Sequence, residues 1–245
     1  MRTNPHQGHS MLDSISLLTR LKSLDLLANA SPWWWERALS FDVVIGAILT
    51  QNTKWENVER SLENLRTAGI LVCTNSSRGE SSEQSLQNLA NCNSIESFII
   101  PSGFYRQKST RILALARDIL AEFGSFERFG LEVSREWLLA RKGIGFESAD
   151  SILNYACGRA IMVVDSYSAR LLGALGREME SYEDIQQWFM NLTTRDLAGL
   201  YGDLAYSEIG LAQIYARYHG KIVEFSKKKL PIQRLLDVDF GSFDK

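Results

Sequence analysis

Apolar residues recur at helical spacing through almost every segment of this chain, and strict strand-type alternation is nearly absent. Ile15, Leu18, Leu21, Leu24 and Leu27 predict an amphipathic helix over 15–28, capped by Ser14 and broken by Asn29-Ala30-Ser31-Pro32. Residues 39–50 carry Val43, Val44, Ile45, Ala47, Ile48 and Leu49, a pattern apolar on most sides and so a helix buried all round. Val58, Leu62 and Leu65 predict an amphipathic helix over 56–68. Thr74 to Ser82 has turn composition and is expected to be an exposed loop. Short helices are expected over 85–90 and 94–100, and a long one runs up to Phe123 with Ile112, Leu113, Leu115, Ala116, Ile119 and Leu120 inward. Further helical patterns cover 133–140, 148–156, 167–175, 182–192 and 202–226. The fold class is all-α. Met1 to Asp13 reads as an unstructured leader with solvated His6 and His9 and an alternative start at Met11, and the tail is expected to fray from Asp237.

Gly143-Ile144-Gly145 sits between two of these helical patterns. Two glycines one residue apart allow a tight turn and a close approach to another surface. The helix that follows opens with free N–H groups, which suit an anion. The pattern is helix, hairpin, helix, with a cradle for a phosphate. Downstream, Asp165 ends the apolar run Ala160 to Val164 and precedes the helix over 167–175. A carboxylate there either faces a cleft or caps the helix.

The remaining polar and aromatic positions modify this picture. Trp33-Trp34-Trp35 cannot all face one core from one helical turn; either they bury separately, or at least one lines a pocket for a flat ligand. Gln51 to Trp55 form a polar patch directly after a buried helix, either a solvated turn or a helix end facing a cleft. Arg106, Lys108 and Arg111 oppose the dipole of their helix, which is tolerated on a solvated face or where the charges meet phosphates. Lys221 lies among apolar neighbours, so its amine must be paired, deprotonated or modified, or else snorkel outward. Lys227-Lys228-Lys229 make a basic cluster.

Composition narrows the class. A formal net charge of −2 argues against a protein that coats nucleic acid non-specifically, while leaving a local basic face open. Three widely spaced cysteines fit a reducing compartment and give no metal-ligand spacing. No apolar run reaches membrane-span length, and the first ten residues lack a signal-peptide core, so a cytoplasmic location is expected.

The hairpin followed by Val164-Asp165 resembles the helix-hairpin-helix DNA glycosylase superfamily, the relatives of endonuclease III. The resemblance runs from about Ala38 to Tyr218 and includes Ala47 to Thr53, similar to the family's helix ending in a DNA-wedging Gln, and Gly103-Phe104-Tyr105 with Lys108. It implies two lobes, a six-helix barrel over 37–158 and a bundle made from 1–36 plus 159–245. Bifunctional members carry a Schiff-base lysine where this chain has Glu147, which implies a monofunctional glycosylase without lyase activity. Many relatives hold an iron–sulfur cluster on four C-terminal cysteines; no cysteine follows Cys157 here, so none is expected.

The Trp-rich segments and His219-Gly220-Lys221 look like the endonuclease-III-like 3-methyladenine DNA glycosylases of bacteria, although Glu36 stands where that group often has proline. The resemblance implies Asp165 as the catalytic carboxylate. It implies base contacts from Trp34, Trp35, Trp55, Glu147 and Lys227. DNA contacts would come from Gln51, Asn52, Lys54, Lys108, Lys142, Gly143, Gly145 and Lys221. No cofactor is implied beyond a monovalent cation on the hairpin carbonyls. The expected partner is double-stranded DNA containing alkylated bases, bound by a monomer. A glycosylase for mismatched thymine or adenine, a non-catalytic DNA-binding module and a purely structural helical protein fit the same residues.

Overall fold

The computed structural model describes residues 12–73 and 78–236. The leader up to Met11, with His6 and His9, and the tail from 237 lie outside the described residues. The helices are α1 (Ser14–Ser23), α2 (Phe41–Leu49), α3 (Trp55–Thr67), α4 (Arg78–Asn91), α5 (Glu96–Ile99), α6 (Tyr105–Phe123), α7 (Phe126–Glu132), α8 (Arg135–Leu139), α9 (Phe146–Ser151), α10 (Ser166–Ala174), α11 (Tyr182–Met190), α12 (Thr194–Tyr201), α13 (Glu208–Lys227) and α14 (Gln233–Leu236). A 3-10 turn (Ile100–Ser102) extends α5, a π-turn (Ile152–Ala156) extends α9, and a second 3-10 turn (Gly202–Tyr206) precedes α13. Among the described residues there is no strand.

Two hydrophobic clusters organise these elements. One draws on α2 to α9 and the π-turn and is centred on α2, in which every residue is buried. The other joins α1 to α10–α14 through Leu17, Leu18, Leu21, Leu172, Phe189 and Tyr218. The extended stretch before α10 touches both. Val163 belongs to the first cluster, and Met162 and Val164 to the second. This is the period-2 alternation of an extended backbone, and it delivers Asp165 to the junction.

Three expectations change. α1 is capped by Asp13, whose side chain accepts from Ser16 N, while Ser14 Oγ instead donates to Phe189 O at 2.7 Å. The helix stops at Ser23 because α13 takes over the backbone that follows. Lys221 Nζ donates to Leu26 O (3.0 Å), Glu224 Oε2 accepts from Leu27 N (2.5 Å), and Arg217 Nη1 donates to Ser31 O (2.9 Å). Of the expected loop, residues 74–77 lie outside the described residues, whereas 78–82 begin α4. Its serines are inward: Ser82 Oγ accepts from Phe41 N (3.1 Å), and Ser85 Oγ accepts from Val72 N (2.8 Å). The helix expected over 202–226 breaks at Ser207, whose side chain caps α13 by accepting from Gly210 N.

Candidate active site and nucleic-acid interface

Asp165 is the N-cap of α10. Its Oδ1 accepts from Tyr167 N (2.9 Å), Ser168 N (2.9 Å) and Ser168 Oγ (3.2 Å). Its Oδ2 faces His219 Nε2 at 3.4 Å. His219 is buried on α13, and its Nδ1 lies 2.6 Å from the hydroxyl of the fully buried Tyr155. Burial works against ionising Asp165, but the His219 ring and the hydrogen bonds from Ser168 outweigh it and hold the carboxyl below its ordinary value. Of the two readings of this position the cap is the observed one: Oδ1 caps α10, and Oδ2 is turned to His219.

Glu147, on the first turn of α9, keeps an opening to solvent, yet surrounding protein atoms strip much of its hydration. That loss, and then the Asp165 charge, outweigh the His219 ring and raise its carboxyl above the ordinary value. Between the unfolded and the raised folded value the native state keeps a proton that the unfolded chain has shed, so this group costs stability as pH rises through that window. Glu147→Gln is expected to raise Tm at about pH 7, with the gain vanishing as pH falls below the ordinary glutamate range. An unchanged Tm at neutral pH would mean that the carboxylate is freely hydrated.

The tryptophans converge on this pair. Trp34 meets His219 edge-on (5.2 Å between centroids) and Tyr155 at 6.1 Å. Trp35 lies 5.0 Å from Tyr155 and edge-on to Trp55 at 5.2 Å. Trp55, the first residue of α3, anchors its indole N–H on Glu59 Oε1 (2.8 Å). The loop that carries them is strained, with left-handed backbone at Trp34 (φ 63), Arg37 (φ 55) and Leu39 (φ 61). It is held by Arg217, Lys221 and Glu224, which share one face of α13. A Cβ on Gly220 would come within 2.5 Å of the Trp34 ring, so glycine is what lets the indole lie against α13.

At the hairpin only Gly143 needs glycine's backbone, at φ 82; Gly145 has ordinary backbone and caps α9. Gln51 Nε2 donates to Gly143 O (2.9 Å) and Ser148 Oγ (3.0 Å), and its Oε1 accepts from Arg111 Nη1 (3.1 Å). A Cβ at Gly143 would overlap the Arg111 side chain. Arg111 thus ties α6, the end of α2 and the hairpin together, a specific role that its place in a basic helical turn did not convey. Asn52 (φ 53), Lys54, Lys142, Gly143 and Gly145 are exposed.

Two lysines expected at DNA are internal. Lys108 is not a phosphate contact: it is 2% exposed, and its Nζ donates to Leu49 O (2.8 Å) and Ser102 O (2.7 Å). It pins the 3-10 turn to the end of α2. Lost hydration, then the Arg111 charge, lower its amine to about 8. Lys108→Met strands both carbonyls and is expected to cost about 1–3 kcal/mol, read by chemical denaturation. A loss below ~0.5 kcal/mol would show that water replaces the amine. Lys221 is likewise internal, its charged end spent on Leu26 O rather than on DNA. Lys227 is exposed on the last turn of α13, eight residues beyond His219.

These features define an all-helical scaffold with a carboxylate at the junction of two helical clusters and a Gly-x-Gly hairpin. Residues 45–195 match the HhH-GPD superfamily of base excision DNA repair proteins. The chain belongs to this superfamily and is a DNA glycosylase, a hydrolase of N-glycosyl bonds. It is 49% identical to H. pylori 3-methyladenine DNA glycosylase (MagIII), whose crystal structure has 1,N6-ethenoadenine bound; the match covers 90% of this chain and all of that one, with a TM-score of 0.81. A candidate DNA repair glycosylase of Methanocaldococcus jannaschii is 34% identical over 202 residues, 80% of each chain. A DNA complex of endonuclease III, 16% identical with a TM-score of 0.62 over 93% of this chain and 96% of that one, shares the fold.

Proposed function

We propose that this chain is a monofunctional glycosylase that excises alkylated bases, chiefly 3-methyladenine, from double-stranded DNA. The observation that carries the reading is the cluster of half-buried Trp34, Trp35 and Trp55 around the buried Tyr155, joined to Asp165 through His219. Indoles stack well on a flat, electron-poor base and need few polar readers to hold it. A cationic N3-alkylated adenine already weakens its own glycosidic bond, so the protein needs to stabilise the sugar cation more than it needs to protonate the base. An ionised Asp165 suits that task. The similarity to MagIII supports the same substrate class.

The lesion must leave the stack before C1′ is accessible. Gln51 and Phe104 would fill the gap. Phe104 is 63% exposed on a left-handed turn (φ 46), and Lys108 fastens that turn to the backbone just before Gln51. Lys54, Lys142 and the hairpin N–H groups would hold phosphates and set the register. The carbonyls of Arg141 and Gly143 each accept one N–H and keep a second lone pair, and these oxygens would hold a monovalent cation if one binds at the hairpin. Glu147 in place of an amine leaves no group at that position to form an imine.

Chromatography of bases freed from methylated DNA tests this reading. Release of 3-methyladenine without strand breaks, and without a borohydride-trapped adduct, is expected. Release of mismatched thymine or adenine alone would overturn the substrate, and a trapped adduct would overturn the monofunctional assignment.

A further inference from the structure

The hydrogen bonds of Asp165 all end on Oδ1. Oδ2 faces His219 Nε2 at 3.4 Å, and that nitrogen is buried without a hydrogen-bond partner. Two polar atoms therefore stand side by side at this carboxylate in a long contact, and no other group reaches the nitrogen. Buried polar groups nearly always have a partner, and an exception marks a bound water or a catalytic role. The tautomer of His219 is set from behind. Tyr155 is fully buried, and its hydroxyl lies 2.6 Å from Nδ1. With the Tyr155 hydroxyl donating to Nδ1, the ring is the Nε2–H tautomer. Nε2 then carries the proton on the side that faces Oδ2. The opposite tautomer would aim a lone pair at a carboxylate.

We propose that His219 is a further catalytic residue, whose Nε2–H, together with Asp165 Oδ2, binds the water that attacks C1′. The inference rests on the glycosylase reading above. The water donates one hydrogen to Oδ2 and accepts from Nε2–H, which leaves a lone pair for the sugar. As the C1′–O bond forms, the C1′–N bond breaks with its electron pair going to the base; a cationic alkylated base leaves neutral, and the water proton passes to Oδ2. Trp34, edge-on to the His219 ring, and Gly220 behind it hold the imidazole in place.

The test compares His219→Leu with His219→Gln in single-turnover release of 3-methyladenine from methylated duplex DNA, with lesion affinity measured separately. His219→Leu is expected to slow release roughly 10²-fold at unchanged affinity. His219→Gln, which keeps an N–H donor, is expected to recover most of that loss. Equal rates for the two variants, or a rate loss matched by lost affinity, would overturn the role. Imidazole ¹⁵N spectra of the wild-type chain give a readout independent of activity and of variant folding. The Nε2–H tautomer is expected, with Nδ1–H gaining population in Tyr155→Phe. An Nδ1–H ring in the wild type would refute the proposal even if base release is confirmed. A wild type that frees no alkylated base but shows Nε2–H would remove the substrate reading and, with it, the hydrolytic role.

Discussion

Asp165→Asn is expected to reduce base release by at least roughly 10²–10³-fold while leaving the fold and lesion binding nearly intact. The prediction separates two duties of one side chain. As N-cap of α10, Asp165 accepts from two backbone N–H groups through Oδ1. Asn caps about as well, so the change should cost less than ~1 kcal/mol of stability. What it removes is the negative charge that would face the sugar cation. The pH dependence follows from the same geometry. Because the Asp165 carboxyl titrates below its ordinary value, its stabilising contribution is present above the unfolded value of 3.8 and is lost only as pH falls through the lower folded value. Base release should therefore persist to more acidic pH than an ordinary carboxylate allows, and the acid loss of stability due to this group should vanish in Asp165→Asn. Retained turnover in the variant would take Asp165 out of the chemistry. Unfolding of the variant would mean that its charge, not only its cap, holds α10.

Much of this arrangement is legible in the chain, and the illegible parts have a common cause. The all-round apolar pattern of residues 39–50 identifies a helix that no face leaves exposed, and α2 is that helix. The Gly143 turn and the carboxylate ahead of α10 are written locally, in glycine's left-handed backbone and in a cap before a helical pattern. Signals for α7 and α12 are present as well, in Ser125 accepting from Arg128 N and in the reciprocal capping box of Thr193 and Asp196, though each helix buries only one or two residues and so has little periodicity to read. What local pattern does not contain is which backbone carbonyl a distant lysine meets. Lys108 resembles a surface cation by type, and the apolar neighbours of Lys221 call for a partner without naming it; the fold brings Leu49 O, Ser102 O and Leu26 O to them. The pairing of Tyr155 with His219 spans 64 residues and follows from the packing of the π-turn against α13. The serines of α4 were misjudged by composition, since their hydroxyls serve buried N–H groups of two other segments.

Arg135→Met is expected to destabilise the protein by about 3–5 kcal/mol, the cost of leaving a buried charge without its partner. Asp150, on α9, is 0% exposed and takes a bidentate grip from Arg135, Nε to Oδ1 at 2.7 Å and Nη2 to Oδ2 at 3.1 Å. Gln186 on α11 donates to the same carboxylate (2.8 Å) and to Met162 O (2.6 Å), and Tyr182 OH accepts from Val164 N (3.4 Å). The guanidinium also lies 4.8 Å from the centre of the Phe146 ring, so its loss removes packing as well as charge. This clasp therefore joins the hairpin helices α8 and α9 to the extended segment that presents Asp165. Removing both charges in Arg135→Met/Asp150→Leu should recover much of the stability, because no uncompensated ion then remains. Recovery of base release should be less complete: Gln186 loses one of its two anchors, and the backbone between Met162 and Asp165 is then less firmly fixed relative to the hairpin. Denaturation curves and single-turnover release on the same variants separate the two effects. A single-variant loss below ~1 kcal/mol would show that water reaches Asp150 once Arg135 is gone, and a double variant with full activity would show that the packing of the two clusters alone sets the position of Asp165.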